Sequence, residues 1–326
     1  MLKPALVVLC ATLLVHCSGS DIELRFEAPE LPAGIVAENA EWEAISDGSI
    51  YSDGPVTDAL GNFYYAAVID RKIYKIDPQG ERTVFDKDTA MTMGMVVSAD
   101  NVMYGCRNLD AQIVRYDWEG NYEVLAEGDL TPSKNEKSKF IPGEYCNDLA
   151  VNSDGGIWFT DRLNRKIWYV NPNGDVRVVA KDFRPNGMQI SLDRGKLYVG
   201  DSESPMMHAF SIGENGSIKE LPGFFEPLVM PKKRDPRFVR PGTNGMTLDA
   251  DGQLYVSTFR GIQVFDTNGS LLGIIRSPNG AYVSNLGFGG VDGQWLYATG
   301  RGILARIRMQ SHSRNQWQKP VDQTDD

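Results

Sequence analysis

Six positions carry the residues most able to do chemistry: Asp53, Met93, Asn147, Asn186, Asn244 and Asn285. Each stands just upstream of a turn that opens an apolar, aromatic-rich strand. The turn residues are Gly61, Asn101, Gly155, Gly195, Gly252 and Gly293, followed by segments such as Phe63-Tyr64-Tyr65, Ile157-Trp158-Phe159 and Leu254-Tyr255-Val256. The offset is eight residues in five copies and nine at Asn186, where the turn is one residue longer. One carboxylate and four carboxamides at equivalent points of a repeat converge on a common axis. Asp53, Asn147, Asn186 and Asn244 together offer oxygen atoms to a hard cation. Ca2+ is the first expectation, with Mg2+, Mn2+ or Zn2+ as alternatives; neither His nor Cys occupies the ring, which disfavours zinc. A single formal charge predicts weaker binding than two carboxylates would give. The competing reading is that the Asn side chains cap strand starts and bond across a wet central channel.

The elements that position these residues follow from the same repeat. Successive turn residues lie 40, 54, 40, 57 and 41 residues apart. A period near 40–45 residues with several short strands per unit is the signature of a β-propeller. In the first unit, strand A covers Pro55–Thr57, strand B Phe63–Val68, strand C Lys72–Ile76 and strand D Arg82–Phe85. Turns such as Asp77-Pro78-Gln79-Gly80 and Asn171-Pro172-Asn173-Gly174 place Asp or Asn first and Gly last, as tight turns require. No long stretch has helical periodicity. The expectation is an all-β, six-bladed propeller over 41–309, with residues 18–40 as a lead-in and 310–326 as an unstructured polar tail. The ring closes if the segment near Glu41–Ile45 supplies the outer strand of the last blade. Strand A runs away from the polar ring, so the B–C and D–A loops share its face. The two long spacings come from D–A insertions at Gly128–Glu144 and Pro222–Gly242, which overhang that face.

The formal net charge is −10, which argues against a nucleic-acid partner. Basic residues nevertheless gather in the insertions: Lys134, Lys137 and Lys139 in the first, and Lys232, Lys233, Arg234, Arg237 and Arg240 in the second. They are either solvated loop charges or a cationic rim that steers an anionic small molecule to the ring. Residues 1–17 read as a secretion signal, with an apolar run from Ala5 to Val15 that is too short to span a bilayer. Leu14-Val15-His16-Cys17 is similar to a lipoprotein processing site, although His16 departs from the small residue expected there. A chain lipid-anchored at Cys17 and a soluble secreted or periplasmic one are the two expectations, with no transmembrane span. Cys106 and Cys146 fall toward the ring face on neighbouring blades, as a disulfide or as two buried thiols.

Five stretches, in order, give a specific resemblance: Asp53-Gly54-Pro55-Val56, Cys146-Asn147-Asp148-Leu149-Ala150-Val151, Arg184-Pro185-Asn186-Gly187-Met188, Thr243-Asn244-Gly245-Met246-Thr247-Leu248-Asp249 and Asn285-Leu286-Gly287-Phe288-Gly289-Gly290. The chain resembles the SMP-30/gluconolactonase family across about residues 50–309. The resemblance implies a six-bladed propeller and calcium-dependent hydrolysis of lactones or related esters. It makes Asp53, Asn186 and Asn244 metal ligands and Asn147 a metal or substrate ligand. Asp53 replaces the family's Glu, one methylene shorter. Asn244 replaces an Asp that in related enzymes also serves as base or nucleophile.

An amide takes up no proton near neutral pH, so Asn244 is no base. The remaining candidates are the B–C loop carboxylates, with Asp201 at the end of strand B in the fourth blade ranked ahead of Glu203 in the same loop and Asp161 in the third blade, and Asp53 itself; Asp148 is a neighbouring acid that strand alternation points away from Asn147. Arg107, Arg162, Arg260 and Arg301 fall in B–C loops and are candidates to clamp a carboxylate or sugar acid. Asn147, Asn285, Arg107 and Arg162 are the substrate-binding candidates. His208 has no nucleophile motif beside it, so Ser–His–Asp chemistry is not expected. Two functions compete: a metal-dependent lactonase or esterase, and a non-catalytic propeller that binds a ligand or partner through the same face. A quinone-dependent redox propeller is a third and weaker reading, with no cofactor signature in register with the blades.

Overall fold

The computed structural model describes residues 14–15, 22–45, 49–128, 145–231 and 240–313. Cys17 and nearly all of the leader, the tail beyond Ser313, and the insertion lysines and arginines up to position 239 lie outside the described residues. Six four-stranded antiparallel sheets are arranged as blades. Blade 1 comprises Ser52–Thr57, Phe63–Ala67, Lys72–Ile76 and Arg82–Asp86 as strands A to D. Blades 2 to 5 repeat the same consecutive order. Blade 6 takes three strands, Val283–Gly289, Trp295–Gly300 and Ile303–Arg308, from its own repeat. Its outer strand is Glu43–Ala44, which pairs with Ala305 and Arg306. The chain thus closes the ring with a strand from its N-terminal side, as the sequence predicts, and an ion pair from Arg306 Nε to Glu43 Oε2 at 2.9 Å ties the seam.

The apolar faces of the strands are buried between blades rather than around one centre. Tyr64, Ala66 and Ile73 of blade 1 pack on Met95 and Met103 of blade 2, and Phe63 and Tyr65 pack on Tyr297 and Leu304 of blade 6. Equivalent clusters fill the other four interfaces. Alternation along strand B explains this: odd and even side chains serve opposite neighbours, so both faces are apolar. The segment before blade 1 runs along blades 4 to 6. Arg25 bridges to Val229 and pairs with Glu226 at 2.7 Å, while Trp42 Nε1 donates to the Arg276 carbonyl. Of the polar tail, Gln310 donates its N–H to Ile35 and His312 accepts from Ala250.

The repeat is stricter in space than in sequence. At Gly61, Asn101, Gly155, Arg194, Gly252 and Gly293 the backbone is left-handed, with φ between 57° and 86°. Each donates its N–H to the carbonyl three residues earlier. In blade 4 this turn residue is Arg194, not Gly195, and the extra residue falls after it. Counted from the left-handed residue, the offset to the ring position is eight in every blade.

Candidate active site

The ring residues occupy the inner ends of the A strands, where the backbone is bent. In blades 1, 4 and 6 the A–B register slips next to Asp53, Asn186 and Asn285. Such bulges re-aim a side chain at a sheet's rim. Neighbouring inner strands approach closely at these points. A Cβ on Gly187 would collide with the Asn244 carbonyl oxygen, and one on Gly245 with Asn285 Oδ1. Glycine at positions 187 and 245 is therefore a steric requirement of the narrow axis.

A cavity of about 420 Å3 opens on this face, and Met93, Asn147, Asn186 and Asn244 line it. Asp53, 4% exposed, adjoins it through Tyr51, a lining residue whose hydroxyl donates to Asp53 Oδ2 at 2.8 Å. Asp53 Oδ1 accepts the Gly54 N–H. The amides are held in one sense. Asn186 Nδ2 donates to Ser202 Oγ and to the Thr243 carbonyl, both at 3.1 Å. Its Oδ1 is buried and has no hydrogen-bond partner. Tyr282 donates its hydroxyl proton to the Gly242 carbonyl at 2.9 Å and also bonds the Asn244 side chain. A hydroxyl that has given its proton away accepts, so the Asn244 amide nitrogen is its donor. Burial pushes the Tyr282 phenol well above its usual range, against hydrogen bonding from Asn244 and the charge of Arg162.

Asn285 stands apart from this cavity. Its Oδ1 accepts the Leu286 N–H at 2.8 Å, and it lines a second cavity of about 360 Å3 that enters the axis from the opposite face, together with Asp148. Asp148 is buried, accepting the N–H groups of Leu149 and Met188. Burial pushes its carboxyl up to about 8, against those two hydrogen bonds and with help from the charge of Asp53. The face bearing Asn147, Asn186 and Asn244 is the one where a buried carboxamide oxygen, Asn186 Oδ1, lacks a donor, and we take it as the site. Among the described residues no cluster of three or more His, Cys, Asp or Glu is placed to hold a metal. Any cation site here is therefore built mainly from carboxamides, as the residue types of the ring imply.

Asp201 and Arg107 are not among the cavity-lining residues. Each is the last residue of its B strand, and that position folds over the B–C turn. Asp201 Oδ1 accepts the Glu203 N–H at 2.8 Å, and its Oδ2 lies 3.8 Å from His208 Nε2. Arg107 is buried between Asp86 and Asp110, at 3.4 and 3.1 Å, and lies over the Tyr122 ring. Asp161, the equivalent residue in blade 3, accepts from Asn164 and Trp168. One residue further on, the chain faces the cavity: Arg162, Ser202 and Phe259 all line it. Tyr51, Arg184 and Gly242, two residues before Asp53, Asn186 and Asn244, line it as well. That period-two signal is present in the sequence and identifies residues the motif reading passes over. Cys106 and Cys146 form a disulfide with 5.4 Å between Cα atoms, immediately before Asn147.

Comparison with known proteins agrees with this construction. The profile described as the SMP-30/Gluconolactonase/LRE-like region matches residues 51–301. A gluconolactonase of Zymomonas mobilis subsp. mobilis is 28% identical over 311 residues, covering 85% of this chain and 81% of that protein. Among solved structures, a gluconolactonase of Xanthomonas campestris superposes with a TM-score of 0.66 at 24% identity, covering 91% of this chain and all of that one. A calcium-binding protein, regucalcin, from Agrobacterium tumefaciens superposes with a TM-score of 0.62 at 16% identity, over 89% of this chain and 98% of its own. At these identities the two structures speak to the fold, while the profile spans the whole ring of candidate residues. The chain belongs to the SMP-30/gluconolactonase/LRE-like family.

Proposed function

We propose that the chain hydrolyses the ester bond of a small lactone with the help of a divalent cation, Ca2+ foremost. The observation that carries the reading is the buried, unpartnered Oδ1 of Asn186, whose amide nitrogen is pinned on two acceptors. A buried carbonyl oxygen without a donor is costly unless something positive faces it. Asp53, Asn186 and Asn244 would hold the ion, with Asn147 beside it as a further ligand to the ion or to the substrate. An oxygen-only set fits Ca2+, Mg2+ or Mn2+, and zinc less well. When bound, such an ion polarises the scissile carbonyl.

The remaining chemistry falls to the side chains. Tyr51 holds Asp53 Oδ2 in place, and the Asp53 carboxylate is the base that would accept a proton from water. Water adds to the acyl carbon, the ester C–O bond breaks, and the proton taken by Asp53 passes to the departing alkoxide. The Tyr282 phenol, neutral at physiological pH, gives its proton to the Gly242 carbonyl and accepts from the Asn244 amide, which orients that side chain. Asn244 exchanges no proton and acts through its carbonyl oxygen.

The test is hydrolysis of aldonolactones and simple aryl esters by the full chain with Ca2+, Mg2+, Mn2+ or chelator. Turnover that requires the metal and is lost in Asp53→Ala supports the proposal. Turnover unchanged by chelator overturns it. Absence of turnover in protein shown to bind the ion favours the other reading, a binding propeller that has lost its acidic residue at position 244.

A further inference from the structure

Asp148 is a buried acid that the proposed chemistry leaves unused, and it stands between two of the ring carboxamides. Its Oδ1 accepts the Leu149 N–H at 2.9 Å, within its own strand. Its Oδ2 crosses to the next blade and accepts the Met188 N–H at 3.1 Å. Met188 closes the bulge that carries Asn186. Pro185 pairs with Asp201 and Met188 with Val199, so Asn186 and Gly187 together face Gly200 alone. A bulge interrupts the ladder, so the place of its residues depends on what holds its two ends. On the other side Asp148 adjoins Asn147, whose N–H donates to the Thr160 carbonyl at 2.8 Å and whose carbonyl accepts the Gly94 N–H at 3.0 Å. Gly94 also packs so close that an added Cβ would lie 2.9 Å from Asp148 Oδ1, which leaves the carboxyl little room to turn. Asn186 Nδ2 in turn reaches the Thr243 carbonyl, one residue before Asn244. A line of hydrogen bonds thus runs from blade 2 to blade 5 through the strands that bear Asn147, Asn186 and Asn244. The Asp148 carboxyl makes its step from blade 3 to blade 4.

We infer that Asp148 is a positioning residue, which sets the spacing between Asn147 and Asn186 and through it the affinity of the site for its cation. It lines the opposite cavity rather than the one the carboxamides line, so it acts through them. This rests on the hydrolase reading for the ion and on the two N–H bonds for the geometry. The residue type follows from the bonds. A carboxyl offers one acceptor oxygen to each N–H, whereas a carboxamide of the same shape offers a single oxygen and turns its NH2 toward the other N–H. Changing a group that orients the ligands of a metal ion typically costs about 10- to 100-fold in its affinity.

The experiment compares the full-chain wild type with Asp148→Asn and with Asp58→Asn. Asp58 is a buried carboxylate just past the far end of the first strand of blade 1, bonded to Leu60, Asn62 and Tyr64. Its loss costs stability without touching the step from blade 3 to blade 4. Calorimetry with Ca2+ alone measures ion binding to each folded protein. Nuclear magnetic resonance in chelator follows the side-chain NH2 signals of Asn186 and the hydrogen exchange of the Met188 N–H. The wild-type Met188 N–H should exchange as slowly as the buried strand amides. Asp148→Asn should shift the Asn186 signals and weaken Ca2+ binding by about tenfold or more, while Asp58→Asn changes neither. If Asp148→Asn does not fold, Asp148→Glu, which keeps both oxygens one methylene further out, takes its place with the same expectations. A wild-type Met188 N–H that exchanges freely overturns the inference. So do unmoved Asn186 signals, an unchanged Ca2+ affinity in a wild type that binds the ion, or an equal effect of Asp58→Asn; with Ca2+ bound by the wild type, each of these leaves the hydrolase reading standing. If the wild type binds no Ca2+ while the Asn186 signals move in Asp148→Asn alone, the hydrolase reading fails and the positioning role stands.

Discussion

Cutting the Cys106–Cys146 disulfide should destabilise the protein and loosen the site at once. The bridge closes a loop with a sequence separation of 40 residues. For a loop of that length the chain-entropy relation gives about −13 cal/mol/K to the unfolded ensemble, or about 4 kcal/mol at 25 °C. For a chain of this size that corresponds to a fall in melting temperature on the order of 8 °C. The functional consequence follows from adjacency. Cys146 precedes Asn147, and its N–H is held by Asn108 Oδ1 at 3.1 Å, so the bridge fixes the strand that brings Asn147 to the cavity. The assay is denaturant unfolding of oxidised protein, of protein reduced with a phosphine, and of the Cys106→Ala/Cys146→Ala double variant. Each is repeated with and without Ca2+. The oxidised form should be the most stable, and reductant should have no effect on the double variant. The calcium-dependent gain in stability should be smaller once the bridge is gone. Oxidised and reduced protein unfolding within about 1 kcal/mol of each other would refute the loop-entropy reasoning. An unchanged calcium gain would refute the link to Asn147.

Three further outcomes are expected. Asn186→Leu should abolish most of the calcium-dependent shift in melting temperature, which at a hundredfold excess over Kd is worth about 2.7 kcal/mol in the parent protein; an undiminished shift would remove Asn186 from the ligand set. Gly245→Ala should cost about 2 kcal/mol or more, because its methyl meets Asn285 in a packed axis; unfolding at the wild-type denaturant concentration would show that the inner strands can spread. His208 carries a raised pKa, since hydrogen bonds and charge from Asp201 and Glu220 outweigh the burial that opposes its protonation. Its stabilising contribution is therefore complete below the usual histidine range and lost as pH rises through the folded value. The stability gap between wild type and His208→Gln should narrow between pH 5.5 and 8.5, and a constant gap would contradict this.

The architecture and the ring were readable because both are set by backbone register. A turn must place one residue in the left-handed region, and strands of fixed length then carry the chain to the axis, so type and spacing at Asp53, Asn147, Asn186 and Asn244 survive in the sequence. The same rule accounts for blade 4, where Arg194 rather than a glycine takes the left-handed position. What was hard to read is side-chain direction at the rim. Arg107 and Arg162 look alike in the sequence, each at a B–C corner. A one-residue difference in register sends Arg107 between Asp86 and Asp110 and Arg162 into the cavity. Asp201 and Ser202 divide in the same way. Tyr282 and Arg240 reach the cavity from connections whose lengths differ from blade to blade, so no constant offset marks them. The division is physical: groups held by strand period are predictable from spacing, and groups held by the reach of long side chains are not. In this protein the first set comprises Asp53 and the ring carboxamides, and the second the arginines that line the cavity. Variation in substrate among such propellers should therefore be sought in the residues that flank the ring, at the ends of strands B and in the D–A connections, more than in the ring itself.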